Sequence, residues 1–191
     1  MKPYFFSEVS TIEEGTLVQS AYDHSNYYLS SAVQSNNFLD DISINFELLD
    51  REDKLVSDED YRGKYILLSF GVTHCEYICP MVVSNMAKAI ELTDKNIVGL
   101  FVSIDAERDT PAITNCYAKS FNKKIVGLSG SYKQVSNAAN NFKVSFAITK
   151  TQNNYTVQHT SNVYLIGPDD KLWEVSTINA SPVKIFKAIK Q

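Results

Sequence analysis

Two strand-length apolar runs restrict the fold more than any other feature of this chain. Lys64–Phe70 (KYILLSF) and Ile97–Ile104 (IVGLFVSI) are almost continuously apolar. That is the pattern of strands buried on both faces, in a sheet covered by helices. Between them lies the loop Gly71–Cys79, followed by Pro80 and by Val82, Val83, Met86 and Ile90 at helical spacing. Pro80 suits the first position of a helix, where its missing N–H is not needed. The order strand, loop, helix, strand predicts an α/β layer fold.

The flanking sequence extends this pattern. Ile44, Phe46 and Leu48 alternate with Asn45 and Glu47, which predicts a half-buried strand, and Lys54–Val56 predicts a second. Thr110 caps and Pro111 opens a helix to about Phe121. A short strand at Ile125–Leu128 and a helix at Ser131–Phe142 follow. Val144–Thr149 and Tyr155–His159 read as a late β-hairpin insertion around the polar turn 150–154. Asn162–Ile166 is another buried strand, Leu172–Ser176 returns beside it, and Ser181-Pro182 opens a last helix. The predicted fold is a mixed central sheet flanked by helices, formed by residues 41–191. Residues 1–40, rich in Ser, Asn and Tyr, read as a partly ordered extension, with a helix start at Thr11–Glu14.

Composition excludes some functions. A chain of 191 residues that is 44% apolar buries a core without disulfide staples, and its three cysteines are too few for a disulfide framework. A net charge of −4 argues against nucleic acid as a partner. No apolar run approaches the roughly 20 residues that span a bilayer. The opening Met1–Phe6 lacks the apolar region of a signal peptide. Whether an anchor preceded Met1 is left open.

The chemistry concentrates at Cys75 and Cys79. The helix N-terminus beside Pro80 is expected to favour a thiolate at Cys79. Two thiolates on a short loop make a soft site suited to Cu(I) or Zn. The C-x3-C spacing leaves room for a metal and also permits a disulfide. His159 ends a predicted strand just before Asn162–Ile166, which is expected beside the strand leading to the cysteines. It is the best candidate for a third ligand, although a strand-end histidine alone is more often structural. His74 ranks second, because neighbouring side chains diverge, and His24 is assigned no role. Cys116, within a predicted helix, reads as a small apolar residue. Asp105 and Asp109 either shape the site or form a solvated loop in which Asp109 helps cap the next helix. Asn154-Tyr155-Thr156 fits a glycosylation acceptor, a pattern common by chance.

Three segments in order resemble the Sco/SenC family of copper-binding thioredoxin-like proteins: Tyr61–Pro80, Val102–Pro111 and His159–Asp169. The resemblance implies a thioredoxin-like fold and one copper ion, Cu(I) or Cu(II), held by Cys75, Cys79 and His159. It implies a monomeric metallochaperone rather than an enzyme. The acceptor would be a cytochrome c oxidase subunit with a binuclear copper centre, on the periplasmic or inner-membrane side. The sequence departs from the family pattern at Glu76 and Tyr77, where Pro and Asp are typical, at Gln158, where Asp is usual, and at Gly167. None of these removes a ligand. The alternative is a thiol–disulfide oxidoreductase using the Cys75/Cys79 pair. Against it, no proline falls between Pro111 and Pro168, so the position before Asn162 lacks the cis-proline usual in thioredoxin-like reductases.

Overall fold

A computed structural model describes residues 41–150, 155–176 and 180–190. The 1–40 extension, with Thr11–Glu14 and His24, and Asn154 of the glycosylation motif lie outside the described residues.

The chain runs β1 (Glu47–Leu49), β2 (Leu55–Ser57), a 3-10 turn at Asp58–Tyr61, β3 (Tyr65–Gly71), α1 (Ile78–Glu91), β4 (Ile97–Ser103), α2 (Pro111–Phe121) and β5 (Ile125–Leu128). It continues with α3 (Tyr132–Asn141), β6 (Phe146–Lys150), β7 (Tyr155–His159), β8 (Val163–Ile166), β9 (Leu172–Ser176) and α4 (Pro182–Ile189). The main sheet has the order β5-β4-β3-β8-β9. β3, β4 and β5 are parallel, whereas β8 and β9 are antiparallel to their neighbours. The mixed α/β arrangement follows the sequence prediction, including β8 beside β3.

The two apolar runs form the centre because their alternate side chains enter two different cores. Leu68, Phe70, Leu100, Val102 and Tyr164 pack with Val135 and Phe142 on one face. Leu67, Phe101 and Leu165 pack on the other with Val82, Val83, Met86 and Ile90 of α1 and Ile185 of α4. Each such burial contributes roughly 1.5–3 kcal/mol. Capping fixes the helix starts. Thr110, Ser131 and Ser181 each accept a backbone N–H from the first turn of their helix.

One element departs from prediction, and the late hairpin follows it. The ladder of the first strand covers only Glu47–Leu49, although Phe46 and Leu48 are buried as the alternation requires. Its partner β2 is only three residues long, and the Phe46 N–H turns instead to the Asp58 carboxylate at 3.3 Å. The late hairpin β6–β7 forms a two-stranded sheet of its own. It joins the core through the apolar side chains of Phe146, Ile148 and Val157.

Candidate metal centre

The cysteines lie where β3 ends. β3 and β4 run parallel up to the Gly71–Ser103 pairing, and loops at such C-terminal strand ends are where open α/β sheets place ligands. Gly71 matters here because a Cβ at this position would stand 2.7 Å from the Phe101 ring and 3.2 Å from Cys79 Sγ. The bare backbone lets the sulfur approach the strand end.

α1 begins at Ile78, with Tyr77 as the N-cap, so Cys79 lies inside the first turn instead of at the cap. Pro80 is tolerated there because the first N–H groups of a helix have no partner within it. Tyr77 gives no side-chain cap. The sulfur of Cys75 takes that place, accepting the Cys79 N–H at 3.4 Å.

This geometry reverses the expected thiolate preference. Burial alone would raise the Cys75 thiol. Hydrogen bonds from the Cys79 N–H and thiol, and from the Tyr77 and Ile78 N–H groups, outweigh it and take Cys75 below its ordinary value. Cys79 is only 2% exposed, and burial pushes its thiol up to about 12 despite a hydrogen bond from Val72. The helix terminus therefore activates Cys75, not Cys79.

His159, the last residue of β7, brings its Nε2 to 3.5 Å from Cys79 Sγ. Its Nδ1 lies 3.0 Å from the Thr160 carbonyl and 3.2 Å from Ser161 Oγ. A carbonyl only accepts, so Nδ1 carries the proton and Nε2 presents its lone pair toward the sulfur. Burial lowers the basicity of His159, only partly offset by the Thr160 carbonyl, and keeps the ring in this neutral form. The donors are two sulfurs and one imidazole nitrogen, a soft set that fits copper or zinc and not magnesium or calcium. The ligand atoms of Cys75, Cys79 and His159 do not yet all lie within 4.8 Å of one another. Cys79 Sγ meets both the Cys75 sulfur and His159 Nε2, so closing the three around one ion takes a movement that brings Cys75 and His159 together.

His74 turns elsewhere. Its Nδ1 lies 3.1 Å from Thr73 Oγ1 and 3.3 Å from Asp109 Oδ1. The solvated-loop reading of Asp105 and Asp109 is wrong, because both are fully buried. Asp109 accepts from the Thr73 N–H at 2.8 Å, the Thr73 hydroxyl at 2.5 Å and the Ser103 hydroxyl at 2.6 Å. It thus holds the segment entering the cysteine loop, while Thr110 caps α2. His74, Asp105 and Asp109 lie within 4.8 Å of one another, but both carboxylates are committed to protein donors.

Sequence reasoning left Asp109 a site-shaping role without its Thr73 partner, and it missed the close approach at Gly71. A glycine ending an apolar strand just before a cysteine loop was the available signal for the second. It also missed Tyr117, whose hydroxyl is buried with no hydrogen-bond partner. Burial, then the nearby Cys79 and Cys75, hold its proton in place. Cys116 is exposed on α2 and not buried.

The SCO1/SenC family model matches residues 34–191. Protein sco1 of Schizosaccharomyces pombe is 35% identical over 153 residues, which cover 75% of this chain and 58% of that protein. The chain therefore spans less than two thirds of that relative's length. Among solved structures, Arabidopsis thaliana ScoI with copper bound superposes with a TM-score of 0.73 at 31% identity, covering 78% of this chain and 99% of that one. BsSco, described as a member of the Sco family of cytochrome c oxidase assembly proteins with a disulfide switch, gives a TM-score of 0.61 at 25% identity. It covers 78% of this chain and 92% of its own.

Proposed function

This chain belongs to the SCO1/SenC family, and from that premise we propose that it is a copper metallochaperone. Cys75 Sγ, Cys79 Sγ and His159 Nε2 hold one copper ion per chain. The acceptor is a copper-receiving protein, a cytochrome c oxidase subunit, on the periplasmic or inner-membrane side, and the chaperone works as a monomer. The observation that carries this reading is the His159 ring: its Nδ1 is committed to Thr160, and its Nε2 stands 3.5 Å from Cys79 Sγ.

The three donors divide the work. Buried Cys79 and half-buried His159 form a preset pair. Cys75 is half-buried and ready to ionise, which suits it to meet incoming copper first and to release it last. Transfer proceeds by replacing one ligand at a time with donors of the acceptor. Around the loop, Tyr77 is 80% exposed, Ile78 44% and Met81 41%, giving an acceptor an apolar surface beside the sulfur.

The same asymmetry supports a second reading. Cys75 has the features of an attacking thiolate and Cys79 those of a resolving thiol, so reduction of a partner disulfide is the alternative use of the pair. Copper titration of the reduced protein against a competing chelator separates the two. One Cu(I) per chain is expected, with affinity reduced at least roughly tenfold in His159→Ala. Unchanged affinity in that variant, with full disulfide-reducing activity retained, would favour the thiol-exchange reading.

A further inference from the structure

Among the described residues, the hairpin that carries His159 has no ladder to the main sheet, so something else must set where its histidine points. On β7, Tyr155, Val157 and His159 share the half-buried face, while Thr156 and Gln158 are exposed. Val157 packs on the core. Tyr155, roughly 13 Å from His159 along the strand, is held by the loop after β4. Its hydroxyl donates to Asp105 Oδ1 at 2.6 Å, and its carbonyl accepts from Arg108 at 3.3 Å. The Arg108 guanidinium lies 3.9 Å over its ring and pairs through Nε with Asp105 Oδ2 at 2.5 Å. Asp105 is fully buried, so this carboxylate is fixed between two donors.

The same loop reaches the other half of the site. Four residues on, Asp109 binds the backbone and hydroxyl of Thr73, two residues before Cys75. We infer that the 105–109 loop is a bracket spanning both halves of the metal site, with Asp105, Arg108 and Tyr155 acting as positioning residues for His159. This rests on the copper reading. It also explains how a strand pair outside the main sheet can hold an imidazole at a fixed distance from a sulfur on α1. A charge-assisted pair between Arg108 and Asp105, the guanidinium over the ring and a buried acceptor together leave Tyr155 little freedom, and a strand is stiff enough to pass that restraint to its other end.

Tyr155→Phe removes only the hydroxyl contact with Asp105 and leaves the ring over Arg108. The test is a double-mutant cycle with His159→Ala, read by Cu(I) affinity and by the Cu(II) charge-transfer and electron paramagnetic resonance spectra. Thermal unfolding of the copper-free proteins runs alongside. The bracket predicts that Tyr155→Phe weakens copper binding by about tenfold, changes the nitrogen signature of the Cu(II) spectrum, and has no further effect once His159 is absent. An equal loss with and without His159 would overturn the bracket, because the effect would then not pass through the imidazole. So would full affinity in Tyr155→Phe while His159→Ala is impaired, and that result would leave the three-ligand site standing. No effect from His159→Ala itself would overturn the ligand set and the bracket together.

Discussion

The two halves of the candidate site are built by different means. The cysteine half hangs from β3 and α1, where Leu67, Leu68 and Val83 are fully buried and ladders to β4 and β8 fix the backbone of β3. The histidine half hangs from a two-stranded hairpin whose functional strand alternates between half-buried and exposed residues. Hydrophobic burial and sheet topology place the sulfurs, whereas side-chain contacts place the imidazole. The sulfurs thus rest on a rigid scaffold, and the imidazole rests on contacts that a few side chains make. Opposite behaviour on mutation should follow.

The largest contrast concerns stability. Leu68→Ala in β3 should cost about 4 kcal/mol in urea unfolding, without changing the copper affinity of the folded fraction. Val157→Ala on β7 should cost only about 1 kcal/mol yet weaken copper binding. If Leu68→Ala instead loosened the metal site and Val157→Ala left it intact, the division between scaffold-placed sulfurs and a contact-placed imidazole would be broken.

A smaller contrast lies within the cysteine half. Alkylation by iodoacetamide at pH 8, followed by peptide mass spectrometry, should label Cys75 roughly tenfold faster than Cys79. Cys75 has its thiol lowered by the helix N–H groups, while Cys79 is raised to about 12. The sign of the pH dependence follows. Raising the pH from 8 toward 11 should accelerate Cys79 more than Cys75, because burial holds the Cys79 thiol up at about 12 while the helix N–H groups take the Cys75 thiol below its ordinary value. Equal rates at pH 8 would mean that the first turn of α1 does not distinguish the two sulfurs.

Much of this was legible in the sequence, for identifiable reasons. The runs at Lys64–Phe70 and Ile97–Ile104 announced buried strands because burial on both faces demands continuous apolarity, and β3 and β4 follow them within a residue or two. Thr110, Ser131 and Ser181 marked helix starts because capping is local chemistry. His159 was legible as a candidate because β8 had to lie beside β3. What failed was tertiary. Pro80 suggested that the helix starts at its own position, but a proline is equally tolerated in the third position of a first turn, and that shift exchanged the roles of the two thiols. For Asp105 and Asp109 a solvated loop stood open beside a site-shaping role, because charge usually means solvent. Their partners, Tyr155 from 50 positions later and Thr73 from 36 positions earlier, carry no local signal.

The central claim is that two sulfurs from the scaffold and one nitrogen from the hairpin bind the same copper ion. Copper X-ray absorption on the Cu(I)-loaded protein, compared with His159→Ala, tests it most directly. The account predicts two sulfur neighbours and one imidazole nitrogen, with the nitrogen lost and both sulfurs kept in the variant. A shell of sulfur alone, or identical spectra for the two proteins, would contradict it.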